Sequence, residues 1–148
     1  MRLIHGIAAV LLLIAPTAQA SGPRTYFDPR TNALNKNDPP FSGSVRVGDT
    51  LYISGQLGLG PDRKPPADVT EEAKLVMEAL KNQIAGQGMT MDDLVSVQIF
   101  CSDVKHYDAF NAVYRTYFTR EFPARAFLGS GTLLFGARFE VMGVAVKR

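Results

Sequence analysis

Between Val69 and Ile84 the apolar residues Val69, Ala73, Val76, Leu80 and Ile84 recur at three- and four-residue steps, which puts one apolar stripe along one side of a helix. Such a helix buries a single face and must lie against another layer. Its ends are marked: Asp68-Val69-Thr70-Glu71 has the form of a helix start, and Gly86 is a stop. The flanking segments supply the layer. Val45 to Val47 and Leu51 to Ile53 are alternating runs around Gly48-Asp49, a hairpin pattern. Gly58, Gly60, Pro61, Pro65 and Pro66 make the connecting stretch a loop. After the helix, Leu94 to Phe100 reads as a strand with Val95, Val97 and Ile99 on one face and Ser96 and Gln98 on the other. Asp103 then caps a second helix, expected from about Val104 to Thr119 and ended by Pro123. Two more strand-like runs close the chain. The order hairpin, helix, strand, helix, strand, strand predicts an α+β domain, a mixed β-sheet with two helices packed on one face.

The last two runs, Phe122 to Leu128 and Phe139 to Val146, each carry one charge among apolar residues, Arg125 and Glu140. Strands of this composition normally hold none. Two explanations are open. The pair forms a buried ion bridge, retained because removing one partner strands the other charge. Alternatively both point into a cleft, where the guanidinium offers a planar fork for a carboxylate and the glutamate a proton carrier.

Three blocks make the pattern specific. Pro123-Ala124-Arg125-Ala126 is followed by Glu140 fifteen positions after the arginine (140 − 125). Pro40-Phe41-Ser42 leads through Val45-Arg46-Val47-Gly48-Asp49-Thr50-Leu51-Tyr52-Ile53 into Ser54-Gly55-Gln56, and Tyr107-Asp108-Ala109-Phe110-Asn111 opens the second helix. In order and spacing these resemble the RidA family, also called YjgF/YER057c/UK114, of reactive imine/enamine deaminases. The resemblance implies a chorismate-mutase-like fold and a homotrimer with ligand clefts between subunits. It implies hydrolysis of small 2-imino/enamine acids to a 2-oxo acid and ammonia. In that reading Arg125 anchors the carboxylate, Glu140 handles the water and the proton, and Ser54, Gly55, Asn111, Phe41 and Phe127 line the cleft. No covalent nucleophile is needed, because the imine carbon is already electrophilic. Two positions depart from the family pattern: Phe41 stands where typical deaminases have Tyr, and Phe127 where many have Cys. Both make the cleft more apolar. They sustain a rival reading, a non-catalytic exported trimer that binds small carboxylates or protects other proteins.

Residues 1–20 have the form of a signal peptide, with Arg2, an apolar run from Ile7 to Ile14, and Ala18-Gln19-Ala20 as cleavage site. Cleavage after Ala20 predicts a periplasmic or secreted protein without a membrane segment. Residues 21–39, rich in Pro, Asn and Asp, are expected to form an irregular arm, and residues 40–148 the domain. A net charge of +2 with scattered Lys and Arg argues against a nucleic-acid surface. Cys101 is the only cysteine, so no intramolecular disulfide forms; with His106 it reads as structural, and no metal or other cofactor is expected.

Overall fold

The structure, a computed structural model, describes residues 22–27 and 39–148. Six strands form one sheet: β1 (Arg24–Phe27), β2 (Ser44–Val47), β3 (Thr50–Leu57), β4 (Leu94–Cys101), β5 (Ala124–Gly129) and β6 (Phe139–Val146). Their spatial order is β1-β2-β3-β6-β4-β5, antiparallel throughout except for the parallel pair β4 and β5. Helices α1 (Val69–Ala85) and α2 (Tyr107–Tyr114) complete the domain, α2 lying in the crossover that a parallel pair requires. The expected order of elements therefore stands, with one strand added.

That strand corrects the expectation for the arm. Arg24–Phe27 is not irregular but pairs antiparallel with β2 and extends the sheet edge; Thr25, Tyr26 and Phe27 favour extended backbone. The proposed leader, residues 1–20, lies outside the described residues. No helix among the described residues is long and apolar enough to cross a membrane.

The α1 stripe is buried as its spacing requires, with Ala73, Val76, Leu80 and Ile84 fully inaccessible. Asp68 is the N-cap, its Oδ1 accepting from the backbone N–H of Thr70 at 2.7 Å and of Glu71 at 2.9 Å, and Gly86 is the C-cap. Gly58 lets the loop before α1 press onto the helix, since a Cβ there would come within 2.9 Å of Glu72 Cγ. The second helical segment is shorter than the expected continuous helix. Asp103 does cap it, but 3₁₀ turns at Val104–His106 and Arg115–Tyr117 flank the eight-residue α2. Two local bonds account for the early end. Thr116 Oγ1 donates back to the Val113 carbonyl at 2.8 Å, which bends a helix, and Asp92 accepts from the Thr119 backbone N–H at 3.0 Å.

Both helices cover one face of the sheet. Leu51, Ile53, Val97, Ile99, Cys101, Phe139, Val141 and Ala145 point into that core. Val95 does not, against the simple alternation expected of β4, and is 47 % exposed. A register irregularity between Leu94 and Ser96 puts Leu94 inward instead. The opposite face carries no helix among the described residues. Tyr52, Met142 and Val146 stand exposed on it, so it is an apolar surface as well.

Candidate active site

Alternation along β5 and β6, read through their pairing with β4, decides where the two suspected charges go. Arg125 is the partner of Val97, which is buried on the helix side, whereas Glu140 is the partner of Phe100 on β4 and of Leu57 on β3. Cross-strand partners share a face. Within one chain Arg125 therefore faces the helices and Glu140 the open side. They form no ion pair, and among the described residues Arg125 makes none with any carboxylate. The ion-bridge explanation is set aside. A buried ion bridge does exist, between Glu72 on α1 and Arg138 just before β6.

Around Arg125 the fold assembles a cradle of polar and aromatic side chains. Its Nη1 donates to Asn111 Oδ1 at 2.7 Å, and its guanidinium carbon lies 4.7 Å from the ring centre of Tyr114, 5.9 Å from Tyr107 and 6.0 Å from Phe127. These faces hold the planar cation by cation–π attraction while leaving most of its N–H donors unengaged. Phe127, one of the departures from the family pattern, packs its ring edge-on against Tyr107 at 5.0 Å and against Phe110 at 5.7 Å. A cleft of about 180 Å³ opens beside Arg125, lined by Asn111, Tyr114, Arg115, Phe122, Pro123 and Arg125. Burial pushes the Tyr114 phenol up to about 12, against the opposing pull of Arg125, so it stays neutral at any physiological pH.

A second cluster lies on the other side of the sheet. Gly55 sits in the irregularity of β3 between Ile53 and Gln56, and a Cβ there would come within 2.8 Å of Glu140 Cδ. A side chain at this position would displace the carboxylate from where it lies. Ser54 Oγ donates to the Ser42 carbonyl at 2.6 Å and its backbone N–H to the Gly43 carbonyl at 3.0 Å, which fixes the segment carrying Phe41 beside Gly55. Phe41 itself is 61 % exposed.

The residues singled out in the sequence thus fall into two groups. Arg125, Asn111 and Phe127 come together on the helix side; Glu140 and Gly55 come together towards the open side, while Ser54 bonds to Ser42, the neighbour of the exposed Phe41. One chain does not unite them. Sequence reading missed Tyr107, Tyr114 and Arg115, although Tyr107, Asn111 and Tyr114 at steps of four and three mark one face of α2. Cys101 and His106 behave as expected of structural residues. Cys101 is fully buried with its thiol pushed up by that burial, and His106 stacks edge-on against Phe139 at 6.1 Å.

Comparison with known proteins bears on the family and the fold. The profile of the family described as Endoribonuclease L-PSP matches residues 31–147. The 2-iminobutanoate/2-iminopropanoate deaminase of Capra hircus is 36% identical over 110 residues, covering 73% of this chain and 80% of that protein. The mitochondrial protein MMF1 of Saccharomyces cerevisiae is 31% identical over 123 residues, covering 80% of this chain and 85% of that one. Among solved structures, the YjgF gene product of E. coli superposes with a TM-score of 0.69 at 28% identity, covering 74% of this chain and 89% of that one. With the fold, the paired sequence blocks and a profile that spans most of its length in accord, the chain belongs to the Endoribonuclease L-PSP family, that of RidA and YjgF.

Proposed function

We propose that the protein is a cofactor-independent deaminase that hydrolyses 2-imino acids, and their enamine tautomers, to a 2-oxo acid and ammonia. The observation that carries this reading is that neither charge is consumed structurally. Arg125 holds unengaged donors beside a cleft, and Glu140 lies against Gly55 where a side chain would displace it. Relatives named for 2-iminobutanoate and 2-iminopropanoate give the chemistry its class. In the reaction the substrate carboxylate lies on the Arg125 fork, which orients the C=N bond. Glu140 takes a proton from a water as its oxygen adds to the imine carbon, and returns a proton to the nitrogen. Glu140 then takes the hydroxyl proton of the carbinolamine and passes it to the amino nitrogen as the C–N bond breaks, so that ammonia leaves a ketone. An enamine first receives a proton at carbon from the same carboxyl group. Purified protein added to freshly generated 2-iminobutanoate should accelerate ammonia release over the buffer rate; no acceleration with any 2-imino acid would overturn the reading.

Because one chain separates Arg125 from Glu140, the working site belongs to an assembly in which the Arg125 half of one subunit meets the Glu140 half of the next. A homotrimer, with the open apolar face bearing Tyr52, Met142 and Val146 buried between subunits, satisfies both needs. Light scattering should give three times the subunit mass at micromolar concentration. A stable monomer there removes the shared site.

Export is part of the same proposal. Signal peptidase reads the small residues Ala18 and Ala20, so the mature chain should start at Ser21 outside the cytoplasm. Mass spectrometry of native protein that finds the Met1 end intact in the cytoplasm would refute it.

One observation favours the rival reading, a non-catalytic trimer that binds small carboxylates. Phe41, where typical deaminases of the resembled family have Tyr, is exposed and has no hydroxyl to offer. The ammonia-release assay separates the two. A ribonuclease has less support: His106 is the only histidine among the described residues and is packed against Phe139.

A further inference from the structure

The cleft beside Arg125 holds a second cation for which the proposed hydrolysis has no use. Arg115 follows Asn111 by one turn of helix, so both reach the same side, and Arg115 and Arg125 line the one cleft of about 180 Å³. No acidic side chain lines it, and among the described residues neither arginine forms an ion pair. Each guanidinium lies instead near an aromatic ring, Arg125 at 4.7 Å from Tyr114 and Arg115 at 5.8 Å from Phe122. Ring contact holds a cation without neutralising it. Arg115 is exposed and Arg125 half-buried, so water screens part of their mutual repulsion, while both forks keep donors turned to the cleft walled by Tyr114, Phe122 and Pro123. An anion carrying two separated negative groups removes the remainder of that repulsion.

We propose that Arg115 anchors a distal carboxylate, so that this site selects dicarboxylic 2-imino acids, with the C1 carboxylate on Arg125 and the side-chain carboxylate on Arg115. The substrate class rests on the deaminase reading; the two-arginine binding site does not. A long apolar imino acid would instead leave Arg115 unneutralised and partly desolvated.

The test compares kcat/KM for 2-iminosuccinate with kcat/KM for 2-iminobutanoate, both generated in the assay, in wild-type protein and in Arg115→Gln. Wild type should favour the dicarboxylate, and Arg115→Gln should lower the ratio of the two constants roughly five- to tenfold. A purely structural Arg115 would depress both constants alike, and an unchanged ratio overturns the proposal. If neither imine is hydrolysed, the deaminase reading fails and calorimetry decides the binding claim by itself. 2-Oxoglutarate should then bind more tightly than 2-oxobutanoate, with that preference lost in Arg115→Gln. Equal affinities in the wild type overturn the site.

Discussion

Arg125→Lys is expected to lower kcat/KM for 2-imino acids by roughly thirtyfold or more, the loss of about 2 kcal/mol that follows when a bidentate charge-assisted grip becomes a single point contact. Lysine keeps the charge but not the fork. It also gives up the planar stack on Tyr114 and the bond to Asn111 Oδ1, so the imine carbon would sit less well placed over the water. Thermal stability should change little, because Arg125 makes no ion pair among the described residues. Arg125→Lys with near wild-type turnover of every 2-imino acid tested would remove Arg125 from the mechanism. The shared site adds a sharper consequence. When inactive Arg125→Lys and Glu140→Gln chains are unfolded together in equal amounts and refolded, a ring of mixed subunits should recover about a quarter of the wild-type sites. Each recovered site takes its arginine from one chain and its glutamate from another. A mixture as inactive as its components would place both residues in a site made by one chain.

The resemblance implies clefts between subunits, but which of the two charged residues each subunit would contribute is not legible in the residues themselves, and the reason lies in sheet register. The spacing of apolar residues marks Arg125 and Glu140 as exceptions within their own strands, because alternation is a local property. Whether two exceptions share a face depends on how β5 and β6 are each aligned against β4. The partners are Val97 for Arg125 and Phe100 for Glu140, an odd separation, hence opposite faces. Nothing in either strand encodes that offset. The same limit explains Val95, turned outward by an irregularity of pairing that β-branched composition does not reveal. By contrast the bounds and the buried stripe of α1 are readable, since its cap, its stripe and its terminal glycine all act within a few residues of one another. The cradle around Arg125 lies between these cases. Its α2 members follow helical spacing, but their role emerges only when β5 is laid beside them.

Glu72 shows the same limit at its strongest, and its removal should have the largest effect on stability. It is an acid in the first turn of α1, beside the apolar stripe but not part of it, and sequence reading did not single it out. It is completely buried. Its carboxylate accepts from the backbone N–H groups of Arg138 and Phe139 and from the Arg138 guanidinium, across 66 and 67 residues of chain. Arg138 in turn donates to the carbonyls of Pro66 and Ala67, each at 2.9 Å. One buried charge therefore ties together α1, the loop before it and the start of β6, two residues before Glu140. Glu72→Gln keeps the shape but leaves the arginine without its counter-charge, and should cost about 3 kcal/mol, the lower end of the range for breaking a buried pair, because Arg138 retains some exposure. Glu72→Leu should cost more, since both backbone N–H groups then lose their acceptor. For that reason the double change Glu72→Leu with Arg138→Met should not restore wild-type stability, although replacing a simple buried ion pair with apolar residues often does. Urea unfolding of the three variants tests the scheme. Full recovery in the double variant would mean that the backbone contacts contribute nothing, whereas a persistent loss would identify Glu72 as the acceptor that holds the entry of β6, and hence Glu140, in place.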